Sequence, residues 1–223
     1  MHLPRSGRRM VLDAAEKYGY DFSKIYEKQM AKTGTIYFII YKKHGAVVSD
    51  TPFFEQVSDG ISKECQKQDY KLNITYIFED EDSVSRQISD LLVSDCSGII
   101  LLGTEMDAKD VLPFLELPFP LVLLDTYFET ISCNCVLINN VQGAYLATMD
   151  LIRTYKAQPG YLQSAYQISN FAAVFEPALS TINVAKQYMG AAAAQRLISL
   201  IRDPGQPPVK TELATTLIRR SSG

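Results

Sequence analysis

The sequence predicts an α/β fold, a doubly wound parallel sheet with helices on its faces. Short apolar runs alternate with amphipathic helical segments four or five times between residues 34 and 154. Each run is apolar nearly throughout, which is typical of strands that are buried on both faces. The chain has 223 residues, of which 47% are apolar and 21% charged. Such a composition suits a globular protein whose core needs neither disulfides nor metal.

The N-terminal segment differs in charge from the rest of the chain. Residues 8–20 have helical spacing and stop at Gly19, and residues 21–32 fit a short polar helix or a linker. Residues 1–43 carry nine Lys/Arg and four Asp/Glu, whereas the remainder is acidic. A basic arm of this kind suits an anionic partner such as DNA, but it also suits an ordinary solvated helix. Charge alone leaves both interpretations open.

The predicted strands and helices then follow one another in order. Apolar, β-branched and aromatic runs predict five strands, at residues 34–41, 72–78, 98–102, 120–125 and 136–139. Helical spacing between turn-forming residues predicts helices at 53–68, 83–94, 108–115 and 142–154. Weaker patterns predict a sixth strand at 160–164, a long helix at 184–201 and one last peripheral strand at 210–220.

Polar and aromatic residues gather where the predicted strands end. In open parallel sheets, ligands bind outside the carboxyl ends of the strands. The side chains expected there are Asp50, Phe53, Phe54, Thr104, Asp125, Tyr127 and Asn140. Together they suit a small polyhydroxylated molecule that is held by hydrogen bonds and ring stacking. The same residue types also cap helices and form turns, so this alternative stays open.

Catalytic and cofactor motifs are not found in the sequence. It contains no phosphate-binding loop, no dinucleotide fingerprint and no nucleophile elbow. Its four cysteines lack zinc-site spacing and are predicted to be reduced thiols, with Cys65 and Cys96 in the core. We therefore predict a protein that is not an enzyme and has no cofactor or metal. The sequence lacks an apolar run of transmembrane length and a secretory signal, so we expect a cytoplasmic protein without a membrane partner.

Three groups of segments occur in a recognisable order. The first is RMVLDAAEKYGY at 9–20 with TGTI at 33–36. The second is DTPFF at 50–54, GIILLG at 98–103, PLVLLD at 120–125 and NVQGA at 140–144. The third is PALSTI at 177–182, GAAAAQRLISLI at 190–201 and LIRRS at 217–221. Together they resemble the LacI/GalR family of bacterial transcriptional regulators.

The resemblance implies a periplasmic-binding-protein-like, flavodoxin-like core that binds a sugar effector, forms a homodimer and controls an operator DNA. It divides the chain into a headpiece and hinge remnant at 1–32, an N-subdomain at 33–164, and a shortened second-subdomain segment with the C-terminal return helix and strand at 165–223. It assigns the effector to the strand-end residues named above, and subunit pairing to the helices after strands one and two. DNA contacts would come from Arg5, Arg8, Arg9, Lys24, Tyr26 and Lys28.

The chain departs from the family pattern in two places. Only the last headpiece helix is matched, and the hinge position that holds a leucine wedge in the family falls near Tyr26. We therefore do not expect this chain alone to read DNA. Most of the second subdomain is also missing between residues 171 and 177. Because one lobe supplies half of the contacts and cannot close, we expect weak or absent sugar affinity.

The sequence is less compatible with two other functions. A sugar-binding protein of the periplasmic type shares the core fold, but the headpiece-like helix and the missing signal argue against it. An enzyme on a flavodoxin-like layer would need a nucleophile or cofactor motif that the sequence does not contain.

Overall fold

The computed structural model describes residues 34–43, 52–79, 81–155 and 180–221. The strands are β1 (Thr35–Lys42), β2 (Lys71–Phe78), β3 (Cys96–Leu102), β4 (Leu121–Leu124), β5 (Asn134–Ile138), β6 (Thr181–Asn183), β7 (Lys210–Leu213) and β8 (Thr216–Ile218). The helices are α1 (Pro52–Lys67), α2 (Glu81–Val93), α3 (Ala108–Leu115), α4 (Asn140–Tyr155) and α5 (Lys186–Arg202).

Six strands form one sheet in the order β2-β1-β3-β4-β5-β7. Every neighbouring pair in this sheet is parallel. The order starts at β1, moves outward to β2, and then continues on the other side of β1 through β3 to β5. This is the doubly wound arrangement, and the predicted α/β fold with a parallel sheet is therefore confirmed.

Each face of the sheet is covered by a separate apolar layer. One face packs against α1 and α5 through residues such as Ile36, Phe38 and Ile40 of β1. The opposite face packs against α2 and α3 through Ile39 and Tyr41. Alternate residues of a strand point to opposite faces, so a strand buried on both faces must be apolar at consecutive positions. This explains the continuous apolar run from which the sequence predicted β1.

Helices α1 and α5 cross with their backbones in contact. A Cβ atom added to Gly60 would lie 2.0 Å from the carbonyl oxygen of Gln187, and one added to Gly190 would lie 2.0 Å from that of Val57. Only glycine leaves room for such a crossing. Beside it, the carboxylate of Asp59 accepts a hydrogen bond from the Gln187 side chain.

The C-terminal segment corrects one prediction. The prediction of a single peripheral strand at 210–220 was wrong, because the segment forms two strands in two different sheets. β7 is the edge strand of the main sheet, whereas β8 pairs with β6 in an antiparallel two-stranded sheet. The break falls at Thr215, whose backbone N–H donates to Oε1 of Gln142 at 2.8 Å instead of to a neighbouring strand. Local alternation could not reveal this side-chain partner.

The small sheet packs against α4. Gly143 lies so close to it that an added Cβ would be 3.2 Å from Ile182 and 3.3 Å from the Thr215 hydroxyl. The buried carboxylate of Asp150 on α4 pairs with Arg219, just after β8. These contacts join α4, which follows β5 of the main sheet, to β6 and β8. β6 precedes the return of the chain to the main sheet, and β8 follows its last strand.

All four cysteines are unpaired, and Cys65 and Cys96 lie in the core as predicted. Within the described ranges, no helix is long and apolar enough to cross a membrane. The predicted helix at 8–20, the linker at 21–32 and the strand at 160–164 lie outside the described residues.

The helix crossing leads to a test of stability. We expect Gly190→Ala to lower the free energy of unfolding by about 2–3 kcal/mol, because the new methyl group would collide with backbone rather than with a movable side chain. Urea unfolding followed by circular dichroism measures this loss. Gly205→Ala is the matched control, since its Cβ would meet only the Asp203 carboxylate at 3.6 Å, and it should change stability by less than about 0.5 kcal/mol. Equal losses in both variants would contradict the close crossing.

Candidate ligand site at the carboxyl edge of the sheet

The carboxyl ends of the parallel strands meet at one edge of the sheet. The chain reverses its direction across the sheet at β1, which has β2 on one side and β3 on the other. Open α/β sheets bind ligands beside such a switch point. The residues that immediately follow the first five strands of the sheet are, in spatial order, Glu79, Lys43, Gly103, Asp125 and Asn139.

Asp125 is the central acidic group of this edge. It is half-buried and has a φ of 58°, a left-handed conformation that Asp tolerates better than most residues. Its backbone N–H donates to the carbonyl of Val136 at 3.0 Å, so the turn after β4 stays attached to β5. Its carboxylate accepts a hydrogen bond from the Thr104 hydroxyl at 3.1 Å.

Burial raises the pKa of the Asp125 carboxyl to about 6, although the Thr104 hydrogen bond lowers it in part. The carboxyl therefore changes its charge in the mildly acidic range. Ionised, it accepts hydrogen bonds only, whereas protonated it also donates one. Asp125 and Thr104 together can thus bind a hydroxyl group as both acceptor and donor.

The turn after β3 places Thr104 beside Asp125. The N–H of Gly103 donates to the carbonyl of Leu124 at 3.2 Å, and its carbonyl accepts from Met106 at 2.9 Å. A Cβ atom on Gly103 would lie 2.6 Å from the Thr126 methyl group and 3.0 Å from the Met106 sulfur. Glycine is needed here because β3 and β4 end so close together.

Lys43 links the neighbouring strand ends, a role that the sequence prediction missed. Its Nζ lies 2.9 Å from Glu79, 2.7 Å from Asp107 and 3.2 Å from Asp110. Its backbone N–H donates to Oε2 of Glu105 at 2.7 Å. The hydrogen bonds that the Lys43 ammonium donates to Asp107 and then to Glu79 raise its pKa. The only sequence signal is a lysine at the end of an apolar strand, which does not identify acidic partners so far along the chain.

The predicted aromatic residues lie in different surroundings. Phe53 is buried in the core and packs edge-to-face on the half-buried Phe54, with ring centroids 5.1 Å apart. Phe53 is therefore placed to support the edge from beneath. The Tyr127 ring lies 3.9 Å from Nζ of Lys210, and its hydroxyl donates to Glu129 at 2.9 Å.

The other predicted residues differ in how well the structure places them. Asn140 is exposed at the start of α4, and the neighbouring Asn139 accepts a hydrogen bond from the Gln142 N–H at 2.8 Å. Asp50 lies outside the described residues. Thr104 and Asp125 are thus predicted polar residues that the structure joins by a direct hydrogen bond. Among the described residues, no group of three His, Cys, Asp or Glu side chains could hold a metal ion.

Comparisons with known proteins agree with this fold. The model of the periplasmic binding proteins and sugar-binding domain of the LacI family matches residues 33–166, and a periplasmic binding protein-like domain matches residues 165–223. The HTH-type transcriptional repressor PurR of Mannheimia succiniciproducens is 25% identical over 167 residues, covering 73% of this chain and 48% of that protein. The ribose operon repressor of Haemophilus influenzae is 32% identical over 114 residues, covering 50% and 34% respectively.

A solved structure of the transcriptional regulator CelR in complex with cellobiose superimposes with a TM-score of 0.71 at 15% identity. The superposition covers 100% of this chain and 92% of that one. At this identity the likeness concerns the fold. The chain spans about half or less of the length of the two curated relatives.

The Asp125 carboxyl gives a test by pH. Its folded-state pKa of about 6 lies above the unfolded value of 3.8, so ionising it costs the folded state more than the unfolded state. The protonated Asp125 carboxyl therefore contributes fully to the free energy of unfolding below about pH 4, and this contribution is lost as the pH rises through 6. We expect Asp125→Asn to be more stable than the parent protein at pH 7 by about 1–2 kcal/mol, and the gain should vanish near pH 4.

Thermal unfolding between pH 4 and pH 8 measures this difference. Asp90→Asn, at an exposed position on α2, is the control and should follow the parent curve. A gain for Asp125→Asn that does not depend on pH would contradict the burial argument.

Proposed function

The chain belongs to the family of periplasmic binding proteins and LacI-type sugar-binding domains, and from this membership we propose that it is the effector-binding and dimerisation core of a bacterial transcriptional regulator. The observation that carries the effector-binding part of the proposal is the hydrogen-bonded Thr104–Asp125 pair at the carboxyl edge of the sheet. The curated relatives are transcriptional repressors, which favours a regulator over an enzyme or a periplasmic transport protein. A cytoplasmic location follows from this role and is part of the proposal.

The proposed effector is a sugar. Sugar hydroxyl groups both donate and accept hydrogen bonds, so they suit an aspartate beside a threonine hydroxyl. Asp125 and Thr104 would hold one hydroxyl group, and Tyr127 and Asn140 would add contacts from the neighbouring strand ends. Phe54 would provide an apolar wall above the buried Phe53 ring. Asp50 stays a candidate from the sequence alone.

The proposed homodimer would use the edge of the sheet at β2. Three apolar side chains on one face of this strand are exposed: Ile74 by 44%, Tyr76 by 42% and Phe78 by 54%. The ammonium of the buried Lys42 lies 4.5 Å from the centre of the Tyr76 ring. Cation–π contacts of this kind strengthen when they are desolvated. An apolar patch on an edge strand is a natural subunit contact, and β2 connects the two helices to which the resemblance assigned pairing.

Operator DNA is proposed as a partner of the whole regulator. The candidate DNA-contacting residues, Arg5, Arg8, Arg9, Lys24, Tyr26 and Lys28, lie outside the described residues. The assignment therefore rests on the basic N-terminal segment and on the kind of protein that the curated relatives are.

Titration of the isotope-labelled chain with D-ribose and cellobiose tests the effector site. We expect the amide resonances of Thr104, Asp125 and Asn139 to shift with millimolar dissociation constants, because a single lobe supplies only half of the contacts to the ligand. Asp125→Ala should abolish the shifts, whereas Asp203→Ala, an exposed control, should not. Shifts confined to another surface would contradict the site, and micromolar binding would contradict the expectation for a single lobe.

The dimer is tested by sedimentation velocity. We expect Tyr76→Asp to weaken self-association by at least about tenfold, since a carboxylate would have to be desolvated in the contact. Leu112→Asp is the matched control, because Leu112 is exposed by 51% on α3 of the opposite face. A monomeric parent protein, or equal weakening in both variants, would contradict this interface.

A further inference from the structure

We propose that Lys43 is the positioning residue of the candidate ligand site: it holds the turn after β3 against the end of β1 and thereby keeps Thr104 on Asp125. The proposal rests on the ligand site proposed above, but its main test does not depend on sugar binding. It concerns a residue that would not touch the ligand, because its ammonium group already has three carboxylate partners.

The contacts of Lys43 reach three other parts of the sheet edge. Its side chain, only 12% exposed, binds Glu79 at the end of β2 and both Asp107 and Asp110 at the start of α3. Its backbone N–H is held by Glu105. One residue therefore ties the ends of β2 and β1 to the turn and helix that follow β3.

The turn after β3 transmits this restraint to the site. Two adjacent residues of this turn form hydrogen bonds with the strands on either side of β3. Glu105 accepts from the end of β1, and Thr104 donates to Asp125 at the end of β4. The turn is short and closed by the hydrogen bond from Met106 to Gly103 at 2.9 Å. Because the two residues are consecutive in a closed turn, a displacement of Glu105 displaces Thr104 as well.

Charge explains why the restraint depends on Lys43. Glu79, Asp107 and Asp110 all contact its single ammonium group, and Glu105 lies at its backbone. Without that group, the carboxylates of Glu79, Asp107 and Asp110 would lie close together at a partly buried edge with no cation between them, and like charges in such a site repel. The buried Tyr41 hydroxyl faces the same cluster, and its pKa is raised to about 12 by burial and then by Asp110 and Glu79. Because Asp107 and Asp110 lie at the start of α3, this repulsion would push α3 and the turn before it away from β1.

The test follows the ionisation of Asp125 by carbon NMR of its carboxyl group. The Thr104 hydrogen bond lowers the pKa of this carboxyl, so the loss of that bond should raise its proton affinity. We expect both Thr104→Val and Lys43→Met to increase the proton affinity of Asp125 by about threefold or more. The double variant should show no more than the Thr104→Val effect, because Lys43 acts through Thr104.

Further variants separate positioning from general destabilisation. Lys43→Arg should restore the parent titration, because it keeps the cation. Glu105→Ala leaves Lys43 and its three ion pairs in place and should also increase the proton affinity of Asp125. It replaces Lys43→Met as the test if that variant does not fold. Lys63→Met removes an exposed pair with Asp59 at 2.7 Å and should change nothing at Asp125. Additive effects of Lys43→Met and Thr104→Val, or an unchanged Asp125 in Glu105→Ala, would overturn the proposal.

A second readout uses D-ribose as the probe. If the parent chain binds it, Lys43→Met should weaken binding by about tenfold and Lys43→Arg should restore it. If the parent chain does not bind D-ribose, the titration of Asp125 alone decides the role of Lys43.

Discussion

The crossing of α1 and α5 is the constraint on which the rest of the fold depends. α5 is separated from α1 by more than half of the chain, yet the two helices share one apolar layer over the sheet. Gly60 and Gly190 let their backbones touch, so the layer is thin enough for side chains of both helices to reach the strands. α5 then delivers the chain to β7, which completes the main sheet. A bulkier residue at either glycine would separate the helices and expose the apolar face beneath them.

The carboxyl edge is organised by polar contacts instead. Parallel strands all end there, and each end brings carbonyl groups and turn residues that apolar packing cannot satisfy. A line of contacts crosses the edge from Glu79 through Lys43 and Glu105 to Thr104 and Asp125. The five residues of this line come from the ends of four strands, and Thr104 and Glu105 share the turn after β3. The arrangement holds a half-buried carboxyl in a tight turn, where burial raises its pKa into a range in which its charge can respond to a ligand or to acid.

A second, smaller layer marks where the chain leaves and re-enters the main sheet. α4 follows β5 and packs on the β6–β8 pair, with Asp150 joined to Arg219 and Gln142 joined to Thr215. β6 precedes the return helix α5, and β8 follows the last strand of the main sheet. The three elements therefore bring these connections together at one place.

The sequence by itself determined the parallel sheet, most of its strands and helices, and the polar character of the edge at which the candidate site lies. Apolar periodicity is a local property, so β1, β3 and α3 could be read from neighbouring residues, and the polar residues that follow β3 and β4 marked Thr104 and Asp125. Tertiary structure decided which polar groups meet. The partners Lys43 and Asp107 are 64 residues apart, and the break between β7 and β8 depends on Gln142, 73 residues before Thr215. Such pairs are selected by the order of strands in the sheet and by the helix crossing, because these bring distant residues within hydrogen-bonding distance, and no local pattern carries that information.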